Sequence, residues 1–92
     1  MNTKRDKLQV IYDILKAISE KDGRIKPTHI LYKANLSHQM LEDYLTELLD
    51  KGFVIELNKK EGKSYSLTQK GFDYINQYQY IIKFTTSFGL DE

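Results

Sequence analysis

Residues 27–51 read PTHILYKANLSHQMLEDYLTELLDK, a run of mixed apolar and polar residues with one proline at its start. Pro27 suits the first turn of a helix, because the amide hydrogen that proline lacks has no partner there. The helix is short, since residues 35–37 break the helical pattern. Asn35 tolerates a left-handed backbone, and Ser37 is a good N-terminal cap for a following helix. The stretch therefore predicts two helices joined by a three-residue turn.

The second of these helices is the longer one, and we expect it to run from Ser37 to Lys51 with Gly52 as its stop. Its apolar residues recur at helical spacing on one side, and its other side is polar. The apolar residues are Met40, Leu41, Tyr44, Leu45, Leu48 and Leu49. We expect four of them to close a three-helix core against Leu15 and Ile18: Leu41, Tyr44, Leu45 and Leu48.

A helix is also predicted before this stretch. Thr3 is the expected cap, Asp6 the carboxylate of a capping-box-like start, and Gly23 a left-handed stop. The apolar face of this helix consists of Leu8, Ile11, Tyr12, Leu15 and Ile18, widened by Val10, Ile14 and Ala17. Residues 24–26 then have the composition of a short strand.

A β-hairpin and a last helix follow. Residues 53–57 are rich in β-formers, residues 58–63 form a polar turn, and residues 64–67 alternate strictly between polar and apolar. Thr68 caps the last helix. The chain is therefore predicted to be mostly α with a small β-hairpin (α+β). The order of helix, tight turn, longer helix and basic hairpin is that of a winged helix-turn-helix domain.

Four stretches sharpen this interpretation: KLQVIYDIL at 7–15, YKANLS at 32–37, EGKSY at 61–65 and LTQKG at 67–71. Together they resemble the small winged helix-turn-helix proteins of archaea, including the ten-kilodalton chromatin-associated DNA-binding proteins of Sulfolobus. The resemblance covers roughly residues 6–75. It implies double-stranded DNA as a partner. It also implies a homodimer in which the last helix pairs with its twin as an antiparallel coiled coil.

The last helix departs from that pattern, because it is short and rich in aromatic residues. We therefore expect a compact aromatic dimer interface, and we divide the domain into a winged-helix core at 1–71 and a C-terminal dimerisation helix at 72–92. Core packing and a small-molecule cleft are the alternatives for these aromatic residues. The predicted interface residues are Phe72, Ile75, Tyr78, Ile81, Ile82, Phe84 and Phe88.

The charge of the chain is unevenly distributed, although the formal net charge is only +1. Residues 1–36 and 51–70 are basic, whereas residues 37–50 carry four acidic and no basic side chains. In helix-turn-helix proteins the second helix of the motif reads the major groove by its N-terminal part. The predicted DNA contacts are Ser37, His38, Gln39 and Thr46 on this helix, Lys33 before it, and Lys59, Lys60 and Lys63 on the wing. Further phosphate contacts could come from Lys4, Arg5, Lys7, Arg24 and Lys26.

Four carboxylates on the groove-reading helix oppose DNA binding: Glu42, Asp43, Glu47 and Asp50. Two functional classes therefore stay open. One is a DNA-binding regulator or chromatin protein, and the other is a winged-helix domain that mainly binds other proteins. If the protein belongs to the first class, we expect contacts from the wing and contacts to the DNA backbone to supply most of the affinity for DNA.

Other functions find little support in the sequence. The chain contains no cysteine, and its two histidines, His29 and His38, have no matched carboxylate at ligand spacing. No Ser-His-Asp order, glycine-rich phosphate loop or carboxylate pair is recognisable. We therefore expect no enzyme activity, cofactor, metal or small-molecule ligand. No apolar stretch is long enough to cross a membrane, and a cytoplasmic, nucleoid-associated location is expected.

Overall fold

The computed structural model describes residues 5–90, and its element order confirms the predicted winged helix-turn-helix. Four helices surround one core, and a two-stranded antiparallel sheet forms the wing. The elements are α1 (Lys7–Glu20), α2 (Pro27–Ala34), α3 (His38–Asp50), β1 (Val54–Lys59), β2 (Gly62–Leu67) and α4 (Gln69–Ser87).

The start of α1 differs from the prediction. Asp6 is the cap itself, because its carboxylate accepts a hydrogen bond of 2.8 Å from the backbone amide of Gln9. Its predicted place inside the first turn is therefore wrong, and Thr3 lies outside the described residues. At the other end the helix stops at Glu20, and Gly23 adopts a positive φ of 79° in the loop beyond it.

The turn between α2 and α3 confirms the interpretation of its sequence. Asn35 adopts the left-handed conformation, with φ and ψ both at 57°. The amide of Leu36 then donates a 3.0 Å hydrogen bond to the carbonyl oxygen of Leu31, which closes the end of α2. The hydroxyl of Ser37 accepts from the amide of Met40 at 3.2 Å and so caps α3. This geometry fixes the direction in which α3 leaves the turn.

The wing is tighter than predicted. Lys59 pairs with Gly62 at the end of the ladder, so only Lys60 and Glu61 form the turn, and the outer residues of the predicted 58–63 turn belong to the strands. The short strand expected at 24–26 is a single bridge between Ile25 and Tyr65. This bridge ties the loop after α1 to the outer edge of β2.

The core lies between the helices and the inner face of the wing. Leu15, Ile18, Leu41, Leu45 and Leu48 all belong to one buried cluster, as predicted. Tyr44, the fourth α3 residue predicted to close the core, is partly buried and packs against this cluster. Met40, also assigned to the apolar side of α3, is 44% exposed.

α4 has two halves with different environments. It begins at Gln69, before the division predicted at residue 72, and Thr68 is its cap as predicted. Ile75, in the first half, is buried in the core. From Tyr80 onward nearly every side chain is exposed. The molecule is accordingly elongated, with extents of 48 × 28 × 21 Å.

Candidate nucleic-acid interface

The start of α3 presents the predicted base-contacting side chains on the surface. Ser37, His38, Gln39 and Thr46 are all exposed. Three of them already have internal partners. The Ser37 hydroxyl caps α3, the Gln39 amide donates to a carboxylate oxygen of Asp43 at 3.0 Å, and the Thr46 hydroxyl donates to a backbone carbonyl at 2.9 Å. A base edge would therefore have to replace the contact between Gln39 and Asp43.

One of the four carboxylates on α3 is neutralised within the domain. A carboxylate oxygen of Glu47 accepts hydrogen bonds from the ammonium groups of Lys7 at 2.9 Å and Lys51 at 3.0 Å. The hydrogen bond from Lys7, followed by that from Lys51, holds the pKa of Glu47 below its ordinary value. Lys7 and Glu47 are 40 residues apart in the chain, so sequence spacing gave no signal of this pair.

Arg5 connects the segment before α1 to the helix-turn-helix. Its guanidinium forms an ion pair with Asp13 on α1 and donates a 3.1 Å hydrogen bond to the carbonyl oxygen of Asn35 in the turn. Arg5 and Lys7, which the sequence suggested as phosphate contacts, therefore have partners within the domain, Arg5 on α1 and in the turn and Lys7 on α3. Lys4 lies outside the described residues.

The predicted contact Lys33 is also paired. Its ammonium group lies 2.8 Å from a carboxylate oxygen of Glu20, at the end of α1. This hydrogen bond is the main reason why the pKa of Glu20 is lowered. Both side chains are about half exposed, so the pair is weak and Lys33 is available to a stronger anion.

The three wing lysines differ in their surroundings. Lys59 donates to the carbonyl oxygen of Gly23 at 2.8 Å, and the Lys63 ammonium group lies 3.7 Å from a carboxylate oxygen of Glu56. Lys60 is in the turn, and no side-chain hydrogen bond or ion pair involves it within residues 5–90. The structure thus gathers the three lysines on one hairpin and leaves Lys60 unpaired among these residues.

A ladder of aromatic rings joins α4 to α1 and to the segment between α3 and β1. We call Tyr12, Tyr78, Tyr74 and Phe53 the aromatic ladder. Neighbouring ring centroids are 4.9, 6.0 and 5.7 Å apart in that order. The ammonium group of Lys70 lies 4.5 Å from the Phe53 ring centroid. Of the predicted interface residues, Tyr78 is half-buried in this ladder and Ile75 is in the core.

The remaining predicted interface residues are exposed. Phe72 is 38% exposed near the start of α4, and Ile82 is 39% exposed, about 100° around the helix from Ile81. Three residues that share one side of the second half form what we call the C-terminal apolar patch: Ile81, Phe84 and Phe88. Phe84 and Phe88 pack against each other with ring centroids 4.9 Å apart. Within the described residues, no other element covers this patch.

Other kinds of site find no support in the described part of the chain. Among residues 5–90, no group of three His, Cys, Asp or Glu side chains is placed to hold a metal ion. No helix in the same range is long and apolar enough to span a bilayer.

A helix-turn-helix followed by an antiparallel hairpin defines the winged helix-turn-helix class. The chain matches this family over residues 4–86 and belongs to it. It is 40% identical over 70 residues to the uncharacterized protein MJ0290 of Methanocaldococcus jannaschii, and 35% identical over 68 residues to the uncharacterized protein MJ0287 of the same organism. These alignments cover 76% and 74% of this chain but only 30% and 64% of the relatives' lengths.

Solved structures share the fold at low identity. Sso10a-2, a DNA-binding protein from Sulfolobus solfataricus, superposes with a TM-score of 0.79 at 21% identity, over 91% of this chain and 85% of its own. SSV1 F-93 superposes with a TM-score of 0.71 at 22% identity, over 96% of this chain and 95% of its own. A MarR family protein of Mycobacterium tuberculosis, Rv2887, superposes with a TM-score of 0.69 at 16% identity, over 85% of this chain and 60% of its own. The archaeal winged-helix resemblance is thus confirmed.

Proposed function

We propose that this chain binds double-stranded DNA as a homodimer, as a transcriptional regulator or chromatin-associated factor, in the cytoplasm on the nucleoid. The observation that carries the proposal is the basic hairpin beside an exposed, well-capped α3. Lys59, Lys60 and Lys63 are all exposed on that hairpin. The long, flexible side chains of lysines in a wing can reach phosphates or the minor groove. Similarity to the DNA-binding protein Sso10a-2 supports the same partner.

The wing supplies most of the affinity in this proposal. Glu47 is neutralised by Lys7 and Lys51, but Glu42 and Asp50 have no ion pair within residues 5–90. Their charges oppose deep insertion of α3 into a polyanion, whereas the lysines release counterions from the DNA backbone. Binding is therefore salt-sensitive and only modestly sequence-specific.

The homodimer forms through the C-terminal apolar patch. Phe84 and Phe88 are 59% and 67% exposed, and Ile81 is 50% exposed. Contiguous exposed apolar area of this kind usually marks a protein interface, because its burial is favourable by roughly 25 cal/mol per Å². A second copy of the chain presents the same patch and can bury it symmetrically.

An electrophoretic shift on mixed-sequence duplex DNA tests the proposal, at low and at moderate salt. We expect retardation at low salt that weakens steeply as salt rises. Lys60→Ala should weaken binding to all sequences alike and reduce the salt slope by about 1, because one phosphate contact is lost. If the wild-type protein binds no duplex even at low salt, the proposal is wrong.

A winged-helix module for protein binding is the second candidate. The acidic surface of α3 favours it, because Glu42, Asp43 and Asp50 are exposed on a helix that would otherwise face DNA. This candidate replaces the first if duplex binding is absent.

A further inference from the structure

The exposed side of α3 uses two of its hydrogen-bond donors within the helix. An N–H of the Gln39 side chain donates to a carboxylate oxygen of Asp43 at 3.0 Å. A carboxylate can only accept, so the amide nitrogen of Gln39 faces Asp43 and the amide oxygen points away from it. The Thr46 hydroxyl donates its single hydrogen to the backbone carbonyl oxygen of Glu42 at 2.9 Å. We call Gln39, Asp43 and Thr46 the acceptor face, because mainly oxygen lone pairs remain there.

Helix geometry places Asp43 at the centre of the side that faces away from the core. Successive residues are turned by about 100°, so Asp43 lies about 160° around the helix axis from Leu41 and from Leu45. Both leucines are buried. Asp50 points in nearly the same direction as Asp43, but it is the last residue of α3. Because the N-terminal part of this helix reads base edges in helix-turn-helix proteins, Asp43 is the better placed of the two carboxylates.

The four bases differ in the groups that they present in the major groove. Cytosine presents its N4 amino group, which is a donor, whereas guanine presents two acceptors, N7 and O6. Thymine presents the acceptor O4, and adenine has the acceptor N7 beside its N6 donor. Two acceptors that face each other without water both lack a partner, and this costs free energy. The acceptor face therefore matches cytosine better than the other three bases.

We infer that Asp43 is a specificity-determining residue that accepts a hydrogen bond from the N4 amino group of cytosine, an inference that rests on the proposed function. Carboxylates are suited to this donor. The amino group takes the place of the Gln39 N–H on the carboxylate, so one hydrogen bond replaces another. The negative charge of Asp43 still lowers the overall affinity for a polyanion. In this arrangement the wing supplies affinity and Asp43 supplies a preference among sequences.

The contact between Gln39 and Asp43 also disfavours adenine. A glutamine that pairs with adenine uses both its N–H and its oxygen, on N7 and N6 respectively. Gln39 has to leave Asp43 before both groups line up with the base, and Asp43 then loses its partner within the helix. With cytosine, by contrast, the carboxylate gains a donor when Gln39 leaves.

Selection from a randomised duplex tests this inference. The DNA that each protein retains at low salt is sequenced, for the wild type and for two variants. Asp43→Asn removes the charge and gives the side chain an amide. Asp50→Asn is the matched control, because it makes the same chemical change on the same side of α3, about two turns nearer the C-terminal end. Thermal unfolding verifies that both variants fold.

The wild type should enrich cytosine at one position of the selected sites. Asp43→Asn should shift that preference to adenine, because an asparagine amide pairs with N6 and N7 of adenine. Asp50→Asn should keep the preference for cytosine. Both variants should bind more tightly than the wild type overall, since each removes one negative charge near a polyanion. The preferred base, rather than the affinity, thus distinguishes Asp43 from a carboxylate that only repels DNA.

A second measurement removes the donor from the DNA. In a duplex with the selected site, the cytosine is replaced by 2-pyrimidinone, which lacks the N4 amino group. The wild type should bind this duplex about 5-fold more weakly, which is the lower end of the discrimination that a good base contact gives. Asp43→Ala should bind both duplexes equally, and it controls for the lower stability of the altered base pair.

An unchanged base preference in Asp43→Asn overturns this inference and leaves the proposed function standing. Enrichment of guanine by the wild type, or the absence of any base preference, has the same meaning. Equal loss of the preference in Asp43→Asn and Asp50→Asn also overturns the inference, because charge alone would then explain the effect. Absence of duplex binding by the wild type at low salt overturns the proposed function and this inference together.

Discussion

The phenolic hydroxyl of Tyr74, on α4, donates a 2.6 Å hydrogen bond to the backbone carbonyl oxygen of Leu8, near the start of α1. The two residues are 66 positions apart in the chain. This contact and the aromatic ladder attach the first half of α4 to α1. The orientation of the exposed second half therefore depends on packing that the ladder provides.

Tyr74→Phe should lower the free energy of unfolding by about 1 kcal/mol at neutral pH, because one intramolecular hydrogen bond is lost. Tyr80→Phe is the control, since Tyr80 is 67% exposed and the same change there should have little effect. Urea unfolding measures both. Equal stability of the two variants would show that the hydroxyl of Tyr74 contributes nothing.

The raised pKa of Tyr74 leads us to expect that the free energy of unfolding decreases at high pH. Burial, with smaller effects from Tyr78 and Asp6, raises the pKa of Tyr74 to about 12. The pKa of a tyrosine in the unfolded chain is near 10. When the pKa in the folded state is higher, the contribution of the tyrosine to stability is complete below the unfolded-state pKa and is lost as pH rises toward the folded-state pKa. The difference in unfolding free energy between wild type and Tyr74→Phe should therefore shrink between pH 10 and 12. A constant difference across that range would contradict the shift.

Phe84→Glu should convert the proposed dimer to a folded monomer. Phe84 is 59% exposed, so the substitution leaves the core of its own chain intact but places a charge in the C-terminal apolar patch. Sedimentation should give a mass near twice 10.8 kDa for the wild type and near 10.8 kDa for the variant. Asn76→Glu adds the same charge at another exposed position of α4 and should remain dimeric. A monomeric wild type at high concentration would refute the dimer.

Leu45→Ala should reduce the free energy of unfolding by ~2 to 5 kcal/mol, because a large buried side chain is removed and a cavity remains. Leu45 is 6% exposed within the core cluster. Met40→Ala on the same helix should change it by less than about 0.5 kcal/mol, since Met40 is 44% exposed. Similar losses at both positions would mean that the buried face of α3 is assigned wrongly.

Gly71→Ala should destabilise the protein even though alanine favours helices. A Cβ at this position would overlap the carbonyl oxygen of Phe53, a backbone atom that also accepts a hydrogen bond from the amide of Thr68. Relieving this overlap should cost roughly 1 to 3 kcal/mol. Gln77→Ala, at an exposed position of the same helix, should be neutral or slightly stabilising. Thermal unfolding of both variants tests the contact.

Glu42→Gln should raise the affinity for duplex DNA if α3 approaches the groove, because a carboxylate facing a polyanion is removed. Gln39→Ala should instead change the relative affinities for different sequences more than the overall affinity. Titrations on two unrelated duplexes separate these effects. If neither change alters binding, α3 stays outside the major groove and the wing alone contacts the DNA.

Local sequence signals predicted the element order, the turn after α2 and the caps of α3 and α4 correctly, whereas Asp6, predicted inside the first turn of α1, is the cap of that helix. Asn35, Ser37 and Thr68 are a left-handed residue and two N-caps whose geometry depends only on their neighbours. The predicted hairpin turn at 58–63 was too long, because the composition of this segment does not show that Lys59 pairs with Gly62.

The candidate site was less predictable, because its electrostatics depend on long-range contacts. Sequence patterns placed Lys7 among possible phosphate contacts, yet its ammonium group pairs with Glu47 on α3. Lys33 and Lys59 likewise have partners that are distant in sequence. The sequence analysis assigned Ile75 to the dimer surface, but Ile75 lies in the core. Helical periodicity identifies an apolar face, but it cannot show which residues of that face are buried within the same chain.

The continuity of α4 has a mechanical consequence. This single helix of 19 residues is about 28 Å long and carries both Ile75 in the core and Phe84 in the exposed patch. Because the helix is unbroken, the direction in which the patch faces is fixed relative to the winged-helix core. One residue inserted between Tyr78 and Ile81 would turn the patch by about 100° relative to the body. In the proposed homodimer, the number of residues in this segment would therefore set the angle between the two winged-helix domains.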